Sequence, residues 1–149
     1  MLEIKEEEIN DFFVETFNSI LTQEEKIFEN SEYCDLTIKE CHVLEAISLL
    51  KKENQNKMTN IANKINISVG ALTTSIKTLL KKGYVERCIS KDDHRIIYIN
   101  LTSKGEAANK LHEEFHHKMI DCIFKSHSKE ELQILLQCLE TFKNFFKKC

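Results

Sequence analysis

The chain has 149 residues, 42% hydrophobic and 30% charged, with a formal net charge of −3. That length suits one domain with a core of its own. No apolar run approaches the ~20 residues a membrane span needs. The acidic start MLEIKEEEINDFF lacks a basic-then-apolar leader, so cytoplasmic residence is expected.

The net charge hides an asymmetry. Residues 1–50 carry thirteen acids against three Lys, a balance of −10. Residues 57–95 carry six Lys and two Arg against Glu86, Asp92 and Asp93, a balance of +5. A basic middle between acidic flanks is how a polyanion-binding face reads. On charge alone, a solvated helix surface is an equal account. Six cysteines, at 34, 41, 88, 122, 138 and 149, form no C-x-x-C pair. They are expected to be free thiols, most of them small buried hydrophobes.

From about Glu6 to Glu29, apolar residues recur at Ile9, Phe13, Phe17, Ile20, Ile27 and Phe28, the spacing of a long amphipathic helix. Thr37-Ile38-Lys39-Glu40 is a capping box. It opens a helix with Cys41, Leu44, Ile47 and Leu50 inward, ending near residue 52. Thr59 is expected to cap a short helix, and Ser68 a third with Val69, Leu72, Ile76 and Leu79 at helical spacing. Gly83 is expected to end it in the left-handed conformation. Tyr84–Ser90 and Ile96–Leu101 are β-like runs joined by the charged tip Lys91-Asp92-Asp93-His94-Arg95, a hairpin. Thr102 is expected to cap a long helix, and Ser128-Lys129-Glu130-Glu131 is a second capping box opening the last.

The expected fold is mainly α with a small β wing. It reads as a single domain over 1–149, with a winged helix-turn-helix at 38–101 between long dimerisation helices at 1–30 and 103–149. One chain cannot easily cover the apolar stripes of the first helix and the last two together, so a homodimer is expected. A monomer folding these helices back on itself is the alternative.

A two-helix unit of this kind lays its second helix in the major groove. The exposed positions of that helix would be Ser68, Gly70, Ala71, Thr73, Thr74 and Lys77. Small hydroxyl residues allow close approach, bond phosphates and offer methyls to thymine. Lys91 and Arg95 at the hairpin tip could enter the minor groove, with Asp93 holding the guanidinium in one orientation. A solvated β-turn is the bland account of the same tip.

Asp93-x-Arg95 followed by Leu101-Thr102-x-x-Gly105 resembles the wing of the MarR family of winged-helix repressors. "TNIANKINISVGALTTSIKTLLKKGYVER" resembles that family's helix-turn-helix. The resemblance implies a homodimer on a pseudo-palindromic double-stranded DNA operator, usually tuned by a ligand. Carried over residue by residue, the DNA-binding positions are Ser68, Gly70, Thr73, Thr74, Lys77, Lys91, Asp93 and Arg95.

"LTIKECHVLEAI", "GALTTSIKTLLKKGYVER" and "LHEEFHHKM" are similar to the FabT-like branch, repressors of fatty-acid synthesis genes. That similarity implies a long-chain acyl group on acyl carrier protein (acyl-ACP) as corepressor. Phe13, Phe17, Ile20, Leu44 and Phe115 are candidate lining for its chain, each buried methylene being worth about 0.8 kcal/mol. Plain core membership is the alternative for each of them.

A metal is the rival ligand. His112 and His116 lie at i and i+4, a spacing that lets two imidazoles share a cation. With Glu24 and His42 they would fit a tetrahedral zinc site, and the zinc-responsive branch of the MarR family looks similar at these positions. Paired structural histidines are the bland account. From another class, His112-Glu113-Glu114-Phe115-His116 matches H-E-x-x-H, the pattern of a zinc hydrolase with Glu113 as base. It is short enough to arise by chance, and it falls in an expected dimerisation helix.

Overall fold

The computed structural model describes residues 3–149. The first two residues of the expected 1–30 segment lie outside the described residues. The element order is α1 (Glu6–Glu29), α2 (Ile38–Lys51), α3 (Met58–Lys64), α4 (Val69–Lys82), β1 (Val85–Ile89), β2 (Ile97–Leu101), α5 (Ser103–Ser126) and α6 (Lys129–Lys148). Mainly α with a small β wing is therefore the fold. No helix among the described residues is long and apolar enough to cross a membrane. The chain divides into two compact units, one ending at His112 and one spanning residues 113–149.

The first unit encloses its own core. Val43, Leu44 and Ile47 of α2, Ile61 of α3, Leu72, Ile76 and Leu79 of α4, Tyr84 and Ile99 are all buried in one cluster. Each repeats at the spacing its element demands, so one face of every helix is removed from water. The helix ends are closed by local chemistry. Thr37 Oγ1 accepts from Glu40 N at 3.2 Å while Glu40 Oε2 accepts from Thr37 N at 2.9 Å. Ser68 Oγ accepts from Ala71 N at 3.1 Å. A cap of this type contributes about 1 kcal/mol.

Gly83 ends α4 at φ 81°, which a side chain resists. Thr102 Oγ1 accepts from Gly105 N at 3.1 Å and donates to Gly83 O at 2.6 Å, closing the start of α5. Gly105 is required for a different reason. A Cβ there would lie 2.0 Å from the carbonyl oxygen of Tyr84, so the helix could not approach the strand start.

The start of α3 departs from expectation. It begins at Met58, with extended Lys57 before it and no side-chain cap. The expected cap, Thr59, lies inside the helix. The cause is tertiary. Asn56 O accepts from Ile99 N at 2.9 Å, and Lys57 bridges Tyr98 antiparallel, so residues 56–57 are held extended beside β2. The chain thus enters α3 already extended.

The cysteines also differ from the reading. All six are free thiols, but Cys41 alone is buried. Cys88 faces outward on β1, and Cys122, Cys138 and Cys149 sit on surfaces that one chain leaves uncovered. Burial, then the nearby Glu40 carboxylate, pushes the Cys41 thiol up to about 12. This is opposite to the activation that a helix start can confer on a thiol.

The second unit holds the last turns of α5 and all of α6. Ser128 and Glu131 form the expected capping box, with bonds of 3.2 and 2.8 Å. Yet α6 buries none of its residues. Leu136, Phe145 and Phe146 are among the apolar side chains it leaves open. An apolar groove of about 470 Å3 runs along this unit, lined by Ile120, Ile123, Phe124, Leu132, Leu136 and Leu139 among others.

Candidate nucleic-acid interface

The face expected to meet DNA is on α4. Ser68, Gly70, Ala71, Thr74 and Lys77 are exposed and Thr73 is half-buried, while Leu72, Ile76 and Leu79 face the core. The hydroxyls are not equivalent. Thr73 Oγ1 donates to Val69 O at 2.8 Å and Thr74 Oγ1 to Gly70 O at 3.4 Å. Their protons are committed to the helix, so what they offer outward is methyl surface and acceptor lone pairs. Ser68 accepts its bond, leaving its own proton free to donate. Of the three, Ser68 is the one suited to a phosphate oxygen.

The C-terminal end of α4 is fixed in two ways that one element alone could not supply. Lys82 Nζ donates to Glu40 Oε2 at 2.8 Å and to the Asp35 carbonyl, linking α4 to the start of α2. Immediately after α4, the Tyr84 hydroxyl donates to Asp35 Oδ1. Burial, then the Asp35 carboxylate, pushes that phenol well up, so it stays a donor. The Lys104 ammonium sits 4.2 Å from the centroid of the Tyr84 ring and donates to Lys82 O at 3.0 Å.

At the wing tip the expected clamp is present. Arg95 Nε donates to Asp93 Oδ1 at 3.1 Å, Nη2 to Oδ2 at 3.2 Å, and the Arg95 backbone N to Oδ1 at 3.0 Å. The Arg95 side chain is nonetheless 92% exposed. A guanidinium fixed in orientation but open to solvent has lost rotamer freedom before any ligand arrives. The side-chain bond from Arg95, then the backbone bond, holds the Asp93 carboxyl below the usual carboxylate range. The clamp is therefore intact above the ordinary carboxylate value and released only as pH falls through the lowered one. Lys91 and His94 are exposed at the same tip.

The candidate ligand residues divide. Phe13 and Phe17 on α1 are 43% and 62% exposed, Ile20 is half-buried, and Leu44 is sealed in the core. Phe115 lies half-buried in the second unit, its ring 5.3 Å from that of His116. The candidate metal residues are more tightly grouped. Glu24, His42 and His112 each offer a ligand atom, all within 4.8 Å of one another. His112 Nε2 bonds Glu24 Oε1 at 2.7 Å, and His42 Nε2 lies 3.7 Å from Glu24 Oε2. Glu24 and His112 are buried, whereas the His42 side chain is 42% exposed beside a cavity of about 310 Å3. His116 belongs to the second unit, as does Glu113 of the H-E-x-x-H stretch.

The sequence reading missed Lys57, Lys82 and Asn56. Lys82 and Asn56 act through partners more than forty positions away, which no local pattern reveals. The depletion of acids between residues 57 and 85 was the only signal pointing at Lys57.

Comparison with known proteins matches residues 26–114 to the family model of transcriptional regulator SarA/Rot. The uncharacterized HTH-type transcriptional regulator YdgJ of Bacillus subtilis is 30% identical over 105 residues. That match covers 68% of this chain and 62% of YdgJ. The crystal structure of Streptococcus pneumoniae FabT in complex with DNA superposes with a TM-score of 0.81 at 29% identity, covering 97% of this chain and 99% of FabT. A MarR/EmrR family transcriptional regulator from Acinetobacter shares the fold, with a TM-score of 0.70 at 15% identity over 98% of this chain and 100% of its own. The chain therefore belongs to the SarA/Rot family of transcriptional regulators and has the winged-helix fold of the MarR type.

Proposed function

We propose that the chain acts as a homodimeric repressor that binds double-stranded DNA through α4 and the wing, controlling fatty-acid synthesis genes. The observation that carries the DNA reading is Arg95, held by three bonds to Asp93 yet 92% exposed at the tip of a hairpin that follows the exposed face of α4. Such a cation is pre-set for a narrow, negative groove. Ser68, Gly70, Thr73, Thr74 and Lys77 would meet the major groove, and Lys91, Asp93 and Arg95 the neighbouring minor groove. The fatty-acid role is supported by the 29% identity to FabT along nearly the whole chain.

Two copies would place two α4 helices on a pseudo-palindromic operator. The apolar surface left open on α1 and α6 is what the second copy would cover. Long-chain acyl-ACP would then act as corepressor. Of the lining expected from sequence, Phe13 and Phe17 have surface to offer in the first unit, whereas Leu44 is enclosed in its core.

The test is a titration of promoter duplexes from fatty-acid synthesis genes, with and without acyl-ACP. Affinity should fall steeply as salt rises, because phosphate contacts release counterions. Arg95→Ala should cost about 1–3 kcal/mol of binding while leaving thermal unfolding unchanged. A flat salt response removes the DNA reading. Affinity indifferent to acyl-ACP removes the corepressor and leaves the rest standing.

One observation favours a second ligand, zinc. Glu24, His42 and His112 supply a carboxylate and two imidazoles from α1, α2 and α5 within 4.8 Å, a donor set that suits the ion. His116, the fourth ligand expected from sequence, belongs to the second unit and is not part of this group. Bound there, zinc would cross-link the three helices in place of the Glu24–His112 bond. Calorimetric titration with zinc, repeated on Glu24→Gln, decides between the ligands: binding that survives the substitution unchanged rules the site out.

A further inference from the structure

We propose that Lys57 is a DNA-phosphate contact, a pinned cation by which the turn between α2 and α3 extends the footprint of the wing. The proposal rests on the DNA-binding reading and adds to it a residue outside α4 and the hairpin.

Lys57 is not on a loose loop. Asn56 beside it is buried, and its Nδ2 donates to Ile99 O at 2.7 Å and to Asn100 Oδ1 at 2.9 Å. Its carbonyl accepts from Ile99 N at 2.9 Å, and Lys57 itself bridges Tyr98. The turn is thereby tied to β2 by an isolated bridge and three hydrogen bonds. The side chain is also restrained: the Lys57 ammonium stands 5.8 Å from the centroid of the Tyr98 ring. Its charge reaches the wing tip, since it helps to lower the Asp93 carboxyl.

The surrounding charge favours an anion. Asp93 is already occupied by Arg95 with both carboxylate oxygens. Lys57 forms no ion pair among the described residues, so its charge is not neutralised by contact. A cleft of about 420 Å3 opens between the turn and the wing, with Lys51, Lys91 and Asp92 among its lining residues. Over residues 51–57 and 91–95, Lys51, Lys52, Lys57, Lys91 and Arg95 stand against Glu53, Asp92 and Asp93, a surplus of two positive charges. A group of cations that includes the restrained Lys57, close to the wing arginine, suits the negative charge of a phosphodiester backbone.

The experiment uses the full chain and a fluorescein-labelled duplex of mixed sequence, with anisotropy followed across a salt series. Phosphate contact by Lys57 predicts that Lys57→Gln flattens the slope of log K against log salt by about 0.9 per copy, about 1.8 for a bound dimer, and weakens binding severalfold at low salt. Lys57→Arg should restore both, and the two variants should have the helical circular dichroism of the parent. If Lys57→Gln keeps the parental slope while Arg95→Ala weakens binding, the proposal is overturned and the DNA reading stands. If slope and affinity are lost equally in Lys57→Gln and Lys57→Arg, Lys57 acts only through packing on Tyr98, and the proposal is again overturned. If the unaltered chain binds no duplex at any salt, both fall together.

Discussion

Ile76 on α4 and Leu136 on α6 each sit in the apolar stripe of an amphipathic helix, yet Ile76 is fully enclosed and Leu136 is 57% exposed. The first unit finishes its own core from α2, α3, α4 and the strands. The second carries as strong an apolar stripe and covers almost none of it. Equal amphipathicity therefore signals burial without saying by whom. In the first unit the covering surface comes from that same unit, whereas α6 in the second buries none of its own residues.

The sharpest way to break this contrast is Leu136→Lys. If a second copy covers α6, each buried leucine is worth about 1.5–3 kcal/mol, and a two-fold interface loses it twice. Sedimentation should show dissociation at concentrations where the parent stays associated, with little change in the spectrum of the folded chain. An unchanged assembly state would mean that Leu136 is bare in solution. Next in size is Ile76→Ala, which should lower the unfolding free energy by about 2–5 kcal/mol in a denaturant titration. A cost under half of that would show the first core to be looser than its enclosure implies.

Gly105→Ala tests close approach rather than burial. With its Cβ 2.0 Å from Tyr84 O, the strain should cost about 1–3 kcal/mol or more, read as a fall in melting temperature. Smallest is Ser68→Ala, which removes the cap of α4 at about 1 kcal/mol. It should also cost DNA affinity if the free hydroxyl proton meets a phosphate. Stability lost without affinity would confine Ser68 to capping.

Much of the fold was legible because its punctuation is local. Both capping boxes act between residues three apart, and Gly83 answers a backbone angle at one position. The Asp93–Arg95 clamp was legible for the same reason, its partners lying two residues apart. The start of α3 was misplaced because a strand pairing with Ile99, forty-three positions away, overrode the local cap at Thr59. The cysteines were misjudged because burial is a property of neighbours. Cys88 has the composition of a core residue and the position of a surface one.

The candidate site divides along the same line. The basic middle, the hydroxyl-rich start of α4 and the charged wing tip are written in consecutive residues. That Thr73 and Thr74 turn their protons back into the helix is a matter of rotamer, and of these three hydroxyls it leaves Ser68 as the free donor. Lys82 reaches α2, and Glu24 meets His112 across eighty-eight positions. These encounters depend on how helices cross.

By itself, the sequence determined where the helices other than α3 begin and end, which faces are apolar, and that a cationic hairpin follows a helix-turn-helix. Those properties arise from hydrogen bonds and periodicities spanning a few residues, and they survive whatever the rest of the chain does. Only tertiary structure decided that residues 56–57 join the wing, that one buried carboxylate gathers two imidazoles, and that α6 is left bare. Each of these depends on desolvation and contact between segments distant in the chain, which packing alone brings within reach.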